Sequence, residues 1–172
     1  SVTMLSGETA IGKYPLNSIR VMSKISSVTM LNKFDQKRKL IESSKQREVK
    51  GMAEAIKNLA NHLPINKIIA ITISGFAARV VSSLMLEQPI IAVSNNKELA
   101  RSFNILRGTC GVYYKTKFFK DSLDHIPKCL NNLWDKQYLI KEDMILVVAL
   151  GYPNSGRRMN IIQTHLVKDL IK

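Results

Sequence analysis

Lys67-Ile68-Ile69-Ala70-Ile71-Thr72-Ile73-Ser74-Gly75 is a short apolar run, rich in β-branched residues, that ends in a Ser-Gly break. Such a run is too short for a helix and apolar along its whole length, which predicts a strand buried on both faces. Phe76 to Leu86 suits a helix that starts at the break. Working outward from this unit, the pattern repeats. Pro89-Ile90-Ile91-Ala92-Val93-Ser94 predicts a second buried strand, and Asn95 or Asn96 is placed to cap a helix over Lys97–Ile105, because an Asx oxygen accepts from free first-turn N–H groups. Gly111–Tyr114 predicts a third strand. A helix over about Lys120–Asp135 follows, with Pro127 requiring either a late start or a kink. Met144–Leu150 is the strongest strand signal, Gly151–Gly156 a turn-rich loop, and Asn160–Leu166 an antiparallel closing strand within the apolar stretch Met159–Val167. Strands alternating with helices predict an α/β, three-layer domain: a mostly parallel five-stranded sheet, last strand antiparallel, helices on both faces.

Upstream, Val49, Met52, Ala53, Ile56, Leu59, Ala60 and Leu63 recur at helical spacing, and Pro64 ends that helix. Leu31–Lys50 is polar and charged and reads as a loop or exposed helical turns at a hinge or boundary. Leu16, Ile19, Val21, Met22, Ile25 and Val28 form one more amphipathic helix, entered at Tyr14-Pro15, where proline costs no hydrogen bond. The opening, Ser1 to Gly12, reads as a short strand and a loop.

Composition narrows the function classes. At 45% hydrophobic in 172 residues the chain suits a packed domain rather than a disordered one. No apolar run is long enough to span a bilayer, and the first residues do not have the pattern of a signal peptide. The chain opens on Ser rather than Met, as expected of a piece of a longer protein. Cys110 and Cys129 have no metal-ligand spacing and suit a reducing cytosol. His62, His125 and His165 also lack ligand spacing and read as ordinary polar or partly buried residues. Trp134, among Leu130, Leu133 and Tyr138, reads as core. No metal site is expected. The net charge of +13, from 26 Lys and Arg against 13 Asp and Glu, raises nucleic acid or anionic ligands as partners. The densest basic group, Lys33, Lys37, Arg38, Lys39, Lys45, Arg47 and Lys50, has a single interleaved aromatic, Phe34, rather than a series of them. It therefore offers no base-stacking platform, and a solvated face is the expected reading.

Three places are candidates for chemistry. Thr72–Ala78 joins a buried strand to a helix start, where free N–H groups, the helix dipole, Gly75 and the Thr72 and Ser74 hydroxyls suit a phosphate. The same pattern also occurs as a plain turn. Gly151-Tyr152-Pro153-Asn154-Ser155-Gly156-Arg157-Arg158 carries two adjacent guanidinium groups fitted to phosphate recognition, or is an exposed loop. Met4–Ala10 places hydroxyls and a carboxylate just past a strand, as barrel enzymes do, without specifying a reaction.

Met4-Leu5-Ser6-Gly7-Glu8-Thr9-Ala10, with Gly12-Lys13-Tyr14-Pro15, closely resembles the MLSGETAxGxYP stretch that ends the barrel of pyruvate kinases. Thr72-x-Ser74-Gly75-x-x-Ala78 resembles that family's effector loop. Pro89–Val93 resembles a strand of its regulatory domain, Arg107-Gly108 its RG turn, and Asp143 with the run to Gly151 its GDxVVVxxG stretch. The resemblance implies that residues 1–24 are the last strand–helix unit of a TIM-type barrel, a barrel-derived remnant. Residues 25–172 are then a C-terminal regulatory and oligomerisation domain. It implies a cytoplasmic parent enzyme, a homo-oligomer that transfers phosphate from phosphoenolpyruvate to ADP with Mg²⁺ and K⁺. The catalytic side chains would lie outside this sequence, with Ser6 and Thr9 bordering the active site, so that this chain alone is inactive and binds no cofactor. A phosphorylated small-molecule effector would meet Thr72, Ser74, Gly75, Phe76, Ala77, Ala78, Gly156, Arg157 and Arg158. Two departures bear on that site. Ala77 stands where many relatives carry a hydroxyl, and Phe76 where the residue is often basic or polar. Gly156-Arg157-Arg158-Met159-Asn160 replaces the family's Gly-x-Thr-Asn with one residue more and no Thr. These changes imply effector binding that is weakened, altered or lost. The competing expectation is a non-catalytic relative that uses its basic surface to join RNA or a large assembly.

Overall fold

The computed structural model describes residues 3–31, 44–117, 122–151 and 159–170. The chain forms two compact units, Ser1–Ile41 and Glu42–Lys172.

In the first unit, α1 (Gly7–Ala10) is followed by α2 (Pro15–Leu31). Pro15 takes the first helical position, where its missing N–H leaves no bond unmade. Ser18, Ser27 and Thr29 donate hydroxyl hydrogens to carbonyls one turn back, at 3.1, 3.0 and 2.8 Å. These bonds satisfy hydroxyls on a helix whose apolar residues, Leu16, Ile19, Val21, Ile25 and Val28, are all exposed. Among the described residues the expected opening strand does not form: Thr3 to Ser6 have no regular structure. A strand is defined by its ladder, and none of the described residues pairs with these four, so their backbone polar groups go elsewhere. The Ser6 carbonyl instead accepts from the N–H groups of Thr9 and Ala10, starting α1.

The second unit begins with α3 (Ser44–His62), so the polar stretch from Ser44 to Lys50 is helical. It continues through β1 (Lys67–Ile71), α4 (Phe76–Ser83), β2 (Ile90–Ser94), α5 (Lys97–Ser102) with a 3₁₀ turn at Phe103–Ile105, and β3 (Thr109–Tyr113). Then come α6 (His125–Asp135), β4 (Met144–Ala149), β5 (Ile161–Leu166) and α7 (Val167–Leu170). The sheet order is β3-β2-β1-β4-β5. The first four strands are parallel and β5 is antiparallel to β4, as the sequence predicts.

Alternation along each strand separates two cores. Ile68, Ala70, Ile90, Ala92, Leu146 and Val148 pack with Ile56 and Ala60 of α3, Ala77, Ala78 and Val81 of α4, and Phe103. Ile69, Ile71, Ile91, Val93, Ile145 and Val147 face the other way, onto Ile126, Cys129, Leu130 and Leu133 of α6. Trp134 and Tyr138 join this second layer, as expected. Successive strand residues point to opposite faces, so a strand covered on both sides must be apolar throughout.

The element ends have local causes. The α6 helix starts late, at His125, leaving Pro127 third in the helix, where N–H groups have no intrahelical partner. Asn96 caps α5 by accepting the Leu99 N–H at 2.9 Å. Gly111 allows α5 to lie close to β3: a Cβ there would sit 1.8 Å from the Ala100 carbonyl oxygen.

Candidate functional site

β1 runs into α4 on one face of the sheet, whereas its neighbour β4 is reached from α6 on the other. The carboxyl ends of β1 and β4 therefore flank the point where the connections diverge, the usual place for a ligand crevice in an open α/β sheet. Ala70 is in register with Val148, and Ala149 with Ile161. The Thr72–Ala78 turn and both roots of the loop after β4 thus lie at one edge of the sheet.

The turn is built by Thr72 and Gly75. Thr72 is buried, continues the ladder by donating its N–H to Val93 O at 2.9 Å, and accepts the Gly75 N–H on Oγ1 at 3.0 Å. Gly75 has φ +78°, a left-handed conformation that costs other residues about 1–2 kcal/mol. A Cβ there would also lie 2.7 Å from Arg79 Nη1 and 2.9 Å from Phe103 Cε1. Phe76 is half-buried against the α3–α4 core, and Ala77 and Ala78 are buried within it. Ser74 is exposed. The N–H groups of Phe76, Ala77 and Ala78 occupy the first turn of α4, where the helix itself supplies no acceptor.

Sequence reasoning passed over Arg79. Its Nη2 donates to Ser74 O at 2.9 Å, which holds the exposed guanidinium against the turn. A cation thus lies three residues after Phe76, against the turn. The available signal was spacing: residue i+4 from Gly75 lies above the helix start.

Of the second loop, Gly156, Arg157 and Arg158 lie outside the described residues. Its roots are pinned. Asn160 accepts the Gly151 N–H on Oδ1 at 2.6 Å and donates Nδ2–H to Gly151 O at 2.8 Å. Beside them, His125 is fully buried at the head of α6. Burial holds its imidazole below the ordinary value, against opposing contributions from the backbone at Leu150 and Ser122 and from the Asp124 charge.

The other polar groups have local partners. Ser6 and Thr9 belong to the first unit, where Thr9 Oγ1 donates to Ser6 O at 3.2 Å. Hydrogen bonds from the backbone at Glu8 and Ser6 hold the Glu8 carboxyl below its usual range. At the amino end of the parallel strands, opposite the Thr72–Ala78 turn, Lys67 Nζ meets Asp143 Oδ2 at 2.6 Å and Tyr138 O at 3.0 Å. His62 Nδ1 lies 2.8 Å from Asn58 O, and His165 Nε2 lies 3.2 Å from Gln163 Oε1. Burial pushes the Cys129 thiol up to about 12, whereas Cys110 is exposed. Among the described residues no group of three or more His, Cys, Asp or Glu is placed to hold a metal ion. None of the described helices is long and apolar enough to cross a membrane.

Comparison with known proteins gives the same reading throughout. Residues 50–165 match the family model for the pyruvate kinase alpha/beta domain. The pyruvate kinase of Bacillus licheniformis is 26% identical over 171 residues, covering 98% of this chain and 28% of the relative. That of Staphylococcus saprophyticus is 30% identical over 170 residues, covering 96% and 28%. A pyruvate kinase crystal structure from Cryptosporidium parvum shares the fold at TM-score 0.64 and 23% identity, covering 95% of this chain and 32% of that one. The chain thus spans less than a third of these relatives' lengths and corresponds to their C-terminal part. With the family model matching well over half of its residues, and the sheet that the family's motifs imply in place, the chain belongs to the pyruvate kinase family.

Proposed function

We propose that this chain serves effector binding and subunit association in a pyruvate kinase, and that it does no chemistry by itself. The carrying observation is the Thr72–Gly75 turn, which places the first N–H groups of α4 beside the Arg79 guanidinium at the carboxyl end of β1. Backbone donors at a helix start and a fixed cation suit a phosphate-bearing small molecule. Ser74, Gly75, Phe76, Ala77 and Ala78 line that contact mainly through the backbone, so the missing hydroxyl at Ala77 weakens it without abolishing it. Gly156-Arg157-Arg158 follows β4 in sequence, and its two arginines carry the further positive charge that this reading assigns to the effector site.

On this reading residues 1–24 derive from the last barrel unit, with Ser6 and Thr9 near the active site, and residues 25–172 form the regulatory domain. The parent reaction is transfer of phosphate from phosphoenolpyruvate to ADP, in the cytoplasm. On this reading the Mg²⁺ and K⁺ that the family implies are held elsewhere in the parent enzyme, of which this chain corresponds to less than a third. Association between copies is supported by β5, an outermost strand without Lys, Pro or Gly; strands with a free edge usually carry such residues to prevent pairing. A basic surface recruited to RNA is the second reading, favoured by the net charge of +13.

The test is a heteronuclear NMR titration of the chain with fructose bisphosphate. Shifts centred on the Gly75–Arg79 amides support the effector reading. A ligand-insensitive turn, together with RNA binding that survives physiological salt, overturns it in favour of the second reading.

A further inference from the structure

We draw no further inference here: the strongest candidate, the exposed apolar surface of helix α2 around Leu16, Ile19, Ile25 and Val28, carries nothing because nothing in the structure shows what covers it.

Discussion

The Gly75 N–H donates to Thr72 Oγ1 at 3.0 Å, inside the turn that joins the central strand to α4. Both residues are buried, so the bond fixes where the helix begins and which N–H groups form its first turn. Gly75→Ala is expected to lower stability by about 2 kcal/mol, from the left-handed backbone and the contact with Phe103. Thr72→Val leaves the Gly75 N–H without its acceptor, at about 1–3 kcal/mol. Urea unfolding monitored by circular dichroism measures both. A wild-type midpoint for either variant contradicts this account of the turn.

Lys67 and Asp143 join the amino ends of β1 and β4 at 2.6 Å. The carboxylate is almost fully buried and also accepts the Ile140 N–H at 2.9 Å. Removing one partner of such a pair strands a buried charge, so Lys67→Met is expected to cost about 3 kcal/mol. The double variant Lys67→Met/Asp143→Leu is expected to lose less than the sum of its two single variants, as a double-mutant cycle would read. Strict additivity would mean that the pair does not couple.

His125 makes stability depend on pH. Its imidazole titrates below 6.5 in the folded protein because burial disfavours the charged form. The unfolded chain therefore takes up the proton first as pH falls. The stabilisation is full above 6.5 and declines as pH drops through 6.5 toward the lower folded value. Urea midpoints are expected to fall between about pH 7.5 and about pH 5, and His125→Leu is expected to flatten that slope. An unchanged slope in the variant would assign the effect to other groups.

The chain alone is expected to form no ATP from phosphoenolpyruvate and ADP. Positioned phosphates and metal ions perform phosphoryl transfer, and the chain spans only 28% of the Bacillus licheniformis relative's length. A lactate-dehydrogenase-coupled assay on the purified chain checks this. Turnover above background would reverse the assignment of catalysis to other parts of the enzyme.

The parallel sheet was legible because doubly covered strands must be apolar throughout, as Ile68–Ile71 and Met144–Leu150 are. Boundaries were less legible. β3 starts at Thr109, ahead of the predicted Gly111, and α4 ends at Ser83, before Met85 takes a positive φ of 55°. No opening strand forms among the described residues because strand propensity is local, whereas a ladder needs a partner that no described residue supplies. At the site, Thr72, Ser74 and Gly75 could be read from the strand–turn–helix pattern. Arg79 could not, because its role depends on the side chain folding back onto the Ser74 carbonyl, a contact that spacing permits but does not require.

Calorimetric titration of fructose bisphosphate, ribose phosphate and AMP into wild type, Arg79→Ala and Arg157→Ala/Arg158→Ala tests the central claim most directly. The account predicts measurable heat with at least one ligand in the wild type. Arg79→Ala should weaken that ligand about tenfold, the loss of one charge-assisted hydrogen bond, and the loop variant should weaken it further from wild type. Silence with all three ligands, or equal binding by wild type and Arg79→Ala, would contradict it.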